Sequence, residues 1–65
     1  MNKYWWKETD GTYQNAYGRN HIHIDDTNMF YIFKDYKRTE LKTVINLNNA
    51  YFVDIERDVD DYPIE

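Results

Sequence analysis

Two histidines and an aspartate stand at alternate positions in the run His21-Ile22-His23-Ile24-Asp25-Asp26. On an extended strand, residues i, i+2 and i+4 share a face. His21, His23 and Asp25 are therefore candidate ligands for one divalent cation. A catalytic zinc needs about three protein ligands, an open position for water and a shaped cavity. The chain has no further His and no Cys to support such a site. The simpler expectation is a solvated strand face, with Ile22 and Ile24 turned the other way and no metal or cofactor bound. Histidines that face water together would titrate at about pH 6–7.

The same run resembles the His-x-His-x-Asp-His signature of metallo-β-lactamase-fold hydrolases over five residues. It departs at the sixth, where Asp26 stands in place of His. The resemblance implies zinc-dependent hydrolysis, but that fold needs several times the 65 residues present. Nucleophilic catalysis has little to work with. There is no Ser or Cys, and Thr9, Thr12, Thr27 and Thr39 fall in turns or polar segments. A Thr nucleophile would need an activating base and an oxyanion site. A general acid with a raised pKa needs burial, whereas the acids here cluster in turns and at the C-terminal end. Gly11 and Gly18 are too few and too far apart for a phosphate-cradling loop. These residues predict a binding protein, not an enzyme.

Charge gives the sharper signal. Residues 1–53 carry seven basic and six acidic groups, net +1, while residues 54–65 carry six acids against Arg57, net −5. The C-terminal end is thus a concentrated negative source that would attract a basic surface and repel phosphates. If a strand continued past Glu56, then Asp54, Glu56, Asp58 and Asp60 would share a face at a spacing of about 6.6 Å. With Asp61 beside them, that row would approximate a run of backbone phosphates. The expectation is a non-enzymatic protein-interaction module whose acidic edge engages a basic, nucleic-acid-binding partner such as a nuclease. A phage-type stoichiometric inhibitor or regulator that mimics DNA is one form this could take. The alternative is an acidic terminus that serves only solubility.

Aromatic residues make 18% of the chain, and each buries a large area at a small conformational cost. Most must form the core. Adjacent Trp5 and Trp6 on a strand face opposite sides, so one of them is expected at an interface, where Trp is a favoured anchor. A second reading uses Tyr31 and Phe33 as a stacking platform for single-stranded nucleic acid, with Lys34, Lys37, Arg38 and Lys42 as its basic rim. The net charge of −4 argues against it.

The elements that position these residues are read from periodicity. Apolar-rich or alternating runs occur at 3–8, 13–17, 20–25, 29–34, 41–47 and 50–56. They predict a small all-β fold of about five antiparallel strands, as a twisted sheet or a minimal barrel. Asp10-Gly11 is a hairpin signal, and Asn48-Asn49 tolerate positive φ and suit another two-residue turn. Met29–Lys34 reads as a central strand. Leu41, Thr43, Ile45 and Leu47 are expected on one face, and Tyr51, Val53 and Ile55 inward, with Asp54 and Glu56 outward. Residues 39–47 also fit a helix, with Leu41, Val44, Ile45 and Asn48 on one face and Thr39 as its N-cap, but β-branched Thr43, Val44 and Ile45 favour strand. One short helix near 35–42 is a further alternative. The hairpin pattern ending in 44–56 looks like tiny β proteins of phages and low-GC bacteria, some similar to SH3-like barrels or pleckstrin-homology-like sheets. That resemblance implies architecture only.

The chain is expected to form one domain over 1–57 followed by an acidic tail, 58–65. A core this small leaves little net stability. Without cysteine no disulfide can supply more, so a homodimer is an expected remedy. Lack of cysteine and a charged N-terminal segment without the apolar run of a signal peptide predict a cytoplasmic protein with no membrane partner.

Overall fold

The computed structural model describes residues 1–59 and consists of six strands: β1 (Asn2–Glu8), β2 (Tyr13–Gly18), β3 (Asn20–Ile24), β4 (Met29–Phe33), β5 (Leu41–Asn46) and β6 (Ala50–Glu56). The expected all-β class holds, with one strand more than about five. The strands do not close into a barrel. They form two antiparallel three-stranded sheets, ordered β2-β1-β6 and β3-β4-β5. Aromatic and β-branched residues dominate the central strands, as a pleated, half-buried surface demands. β4 is the middle strand of its sheet, as its apolar run predicted.

The turns follow from local chemistry. At Thr9–Thr12, Gly11 takes a φ of 91°, a region open to glycine without steric cost. The Asp10 carboxylate accepts from the Thr12 N–H at 2.9 Å and from the Thr12 hydroxyl. Between β3 and β4, Asn28 takes a φ of 55° and its N–H donates to the Asp25 carbonyl at 3.3 Å. The expected hairpin at Asn48-Asn49 does not form. β5 and β6 belong to different sheets, and neither Asn has a positive φ. Instead Leu47–Asn49 make a corner, closed by the Asn49 N–H on the Asn46 carbonyl at 3.0 Å.

Nor does a helix form near 35–42. Residues 34–40 are an irregular loop closed by the Lys34 N–H on the Glu40 carbonyl at 2.8 Å. Asp35 organises it. Its carboxylate accepts from the N–H groups of Thr39 and Glu40, each at 3.0 Å, and from the Thr39 hydroxyl at 2.6 Å. A carboxylate that takes up local backbone donors in this way competes with helix.

The core lies between the sheets. Tyr4, Phe30, Ile32, Ile45 and Ala50 are its buried residues, with Trp6, Ala16, Leu47 and Ile55 packed against them. At the passage from one sheet to the other the backbones nearly touch. A Cβ on Gly18 would stand 2.5 Å from Ile32 Cγ2 and 2.9 Å from the Phe33 carbonyl oxygen. Glycine is required there for space.

Two β-bulges set which side chains reach the core. On β6, Trp6 pairs with Phe52 and Trp5 with Asp54, so Val53 is an extra residue. The inward phase changes across it. Ala50 is buried and Phe52 stacks on Phe30 at 4.9 Å before the bulge, and Ile55 packs inward after it. Tyr51 and Val53, expected inward, are 68% and 49% exposed. On β5, Ile32 pairs with Thr43 and Phe33 with Leu41, which makes Lys42 the extra residue. Ile45 is buried as expected, while Leu41, beyond the bulge, is exposed.

Candidate functional site

Cross-strand partners share a face, so the register assigns every candidate side chain. On β1, Tyr4 and Trp6 point into the core and Lys3, Trp5 and Lys7 point out. The two tryptophans thus oppose each other across the strand, as their adjacency required. Trp6 donates its indole N–H to Glu8 Oε1 at 3.1 Å. Trp5 donates to Glu56 Oε1 at 2.6 Å and pairs across the ladder with Asp54. Trp5, Asp54 and Glu56 therefore form one corner on the outer face of the β2-β1-β6 sheet.

The rest of that face is aromatic and cationic. Tyr13 and Tyr17 on β2 pair with Lys7 and Lys3, and Tyr51 on β6 pairs with Lys7. The Lys3 ammonium lies 4.5 Å from the Trp5 ring centroid and 5.3 Å from that of Tyr17, and Lys7 lies 5.5 Å from Tyr13. These are cation–π distances. Lys3, Lys7 and the three tyrosines were not among the residues expected to bind, although the alternation Lys3-Trp5-Lys7 and the pair Tyr13 and Tyr17 signal one outward row.

The acidic row is shorter than expected. β6 ends at Glu56, so only Asp54 and Glu56 share a strand face. Asp58 turns with a φ of 57°, its N–H 3.4 Å from Asn2 Oδ1. The Val59 N–H donates to the Met1 carbonyl at 2.7 Å. Asp60 and Asp61 lie outside the described residues.

The histidines reverse their expected sides. His21 pairs with Ile32 and His23 with Phe30, both buried, so the histidines share the core face and Ile22 and Ile24 point outward. The His21 ring stacks on Phe30 at 5.1 Å and 11°. Its Nδ1 lies 3.0 Å from the hydroxyl of fully buried Tyr4, which also accepts from Asn2 Nδ2 at 3.3 Å. A buried tyrosine hydroxyl needs a partner, and His21 supplies it. Burial, and then the charges of Arg57 and Arg38, hold the His21 pKa below its ordinary value. His23 instead closes the β3–β4 turn, with Nδ1 3.2 Å from Asp25 Oδ1 and Nε2 3.0 Å from Asn28 Oδ1. His21, His23 and Asp25 do not converge, and among the described residues no group of three or more acidic or His side chains could hold a metal ion.

The aromatic and basic residues of the nucleic-acid reading come from different elements. Tyr31 and Phe33 pair with Ile22 and Asn20 on the outer face of the β3-β4-β5 sheet, whereas Lys34, Lys37 and Arg38 belong to the 34–40 loop, which is followed by Lys42 in the bulge. No pocket opens among the described residues, and no helix among them is long and apolar enough to cross a membrane. No protein-family model, curated protein or solved structure matches the chain.

Proposed function

We propose that this chain is a non-enzymatic protein-interaction module that binds a basic partner through the Trp5–Asp54–Glu56 corner. The observation that supports it is the indole N–H of outward-facing Trp5 held on Glu56, with Asp54 opposite the same ring. The bond orients a large amphipathic side chain beside two carboxylates, at the point where the acidic segment begins. Tryptophan in such a setting is an effective anchor, and clustered acids raise the on-rate for a basic surface. The action would be stoichiometric, that of an inhibitor or regulator. A partner that itself binds nucleic acid has the required basic groove, though β6 offers only two carboxylates on one face for mimicry of DNA.

A second reading rests on the same face. Lys3 and Lys7 interleaved with Trp5, Tyr13 and Tyr17 are the ingredients of a stacking surface for single-stranded nucleic acid. It moves that reading from Tyr31 and Phe33 to the opposite sheet.

One experiment separates the two. The immobilised chain is used to capture host proteins, and the captured protein is then purified and titrated. Its affinity should fall about tenfold or more between low and physiological salt, and the double variant Asp54→Lys, Glu56→Lys should lose binding. An affinity untouched by the double variant removes the proposal. Retention of labelled single-stranded DNA or RNA at low salt, lost in Trp5→Ala, would favour the second reading.

A further inference from the structure

The outer face of the β3-β4-β5 sheet is apolar throughout its centre. Phe30, Ile32 and Ile45 are buried on the inner face, which they share with His21 and His23, so the intervening positions point away from the core. Ile22 pairs with Tyr31, Ile24 with Met29 and Tyr31 with Val44, and Phe33 pairs with exposed Leu41. Ile24 is 42% and Val44 38% exposed. The sheet thus carries large apolar side chains on both of its faces. Antiparallel sheets with one solvated face alternate apolar with polar residues, and this one does not. A sheet apolar on both sides reads as the middle layer of a stack.

We propose that this face packs against the same face of a second copy of the chain. Charge argues for self-association. The outward strand positions of β3 and β4 carry no ionisable group except the Tyr31 phenol, and Asn20 and Asn46 stand at opposite ends of the face. In a two-fold interface each residue near the axis meets its own copy or a near neighbour. A central charge would meet itself. Here the axis would pass beside Tyr31, flanked by Ile22 and Val44, so no like charges oppose. The one charged residue on the strands, Lys42, sits in the bulge at the far end. The opposite sheet, with Lys3, Lys7, Asp54 and Glu56 on its outer face, lacks this property.

Area argues the same way and limits the affinity. A face three strands wide and five residues long measures about 14 by 17 Å. Counting relief and rim at about twice the projection, two such faces bury on the order of 1,000 Å², the lower bound for a specific interface. The dimer is therefore of the weak class, with sheets about 10 Å apart and strands crossing at about −30°. This inference uses the sheet opposite the proposed partner corner and stands without it.

The test is sedimentation equilibrium of the full chain from about 5 to 500 µM, a range that brackets a micromolar dissociation constant. The wild type should move with concentration from 8.0 kDa toward twice that mass. Val44→Lys and Ile24→Lys, at positions already exposed, should keep the β-sheet circular dichroism and raise the dissociation constant by about tenfold or more. Tyr51→Lys, on the other sheet, should dimerise like the wild type. A wild type that stays monomeric at the highest concentration overturns the proposal. So does a dimer unaffected by both lysine variants, or one lost in Tyr51→Lys.

Discussion

At the scale of single residues, the decisive contact is the hydroxyl of Tyr4 on His21 Nδ1. It fixes a neutral imidazole against Phe30 inside the sandwich. Burial lowers the proton affinity of His21 in the folded state. The stability carried by the neutral ring is complete above the ordinary pKa of 6.5 and is lost as pH falls from there through the lower folded value. Denaturant midpoints measured at pH 8 and pH 5 should therefore differ, and the difference should shrink in His21→Gln. An equal loss in the variant would place the pH response elsewhere. Gly18 is the other sensitive residue. Its missing Cβ makes room for Ile32 and the Phe33 carbonyl, and a backbone oxygen cannot move aside like a side-chain tip. Gly18→Ala should cost about 1–3 kcal/mol, which for a chain of this size lowers Tm by roughly 4–8 °C per kcal/mol. Calorimetry or a thermal circular-dichroism scan checks it.

At the scale of elements, the bulges and the 34–40 loop decide more than strand propensity. The Val53 bulge turns Asp54 toward Trp5 and returns Ile55 to the core. Without it, one side of β6 would have to serve two faces. The loop depends on a single carboxylate. The hydrogen bonds from Thr39 and Glu40 hold the Asp35 pKa below the ordinary carboxylate value, so the loop tightens once Asp35 is ionised. Asp35→Ala should abolish exchange protection of the Thr39 and Glu40 amides while leaving the β4 amides protected. Arg38, at a φ of 60°, should then be released from its strained conformation. Protection unchanged in the variant would mean that strand packing alone orders the loop.

At the scale of the whole molecule, two flat faces lie on opposite sides of one thin core. One mixes aromatic rings with both signs of charge, and the other is apolar. The two should respond differently to salt. Binding of a basic partner at the Trp5 corner weakens as salt screens Asp54 and Glu56. Self-association through Ile22, Tyr31 and Val44 has no charge to screen and should hold or strengthen. A titration of both processes against salt distinguishes them in one preparation.

Composition and period-two patterning by themselves determined that the chain is all-β, with about five strands where the structure has six, that Trp5 and Trp6 part, and that Asp10-Gly11 turns. These are local properties, set by side-chain sterics and by the alternation of a pleated backbone. Which face is inner was not local. β3 offers Ile on one side and His on the other, and β4 is apolar on both, so either side of that sheet could have met β1. The tertiary structure chose the histidine side because Tyr4, once buried, needs a hydrogen-bond partner and Phe30 a stacking neighbour. A bulge is likewise invisible in the alternation it interrupts. For that reason the sequence misplaced Tyr51, Val53 and Leu41, and the apolar outer sheet emerged only when the two sheets were packed together.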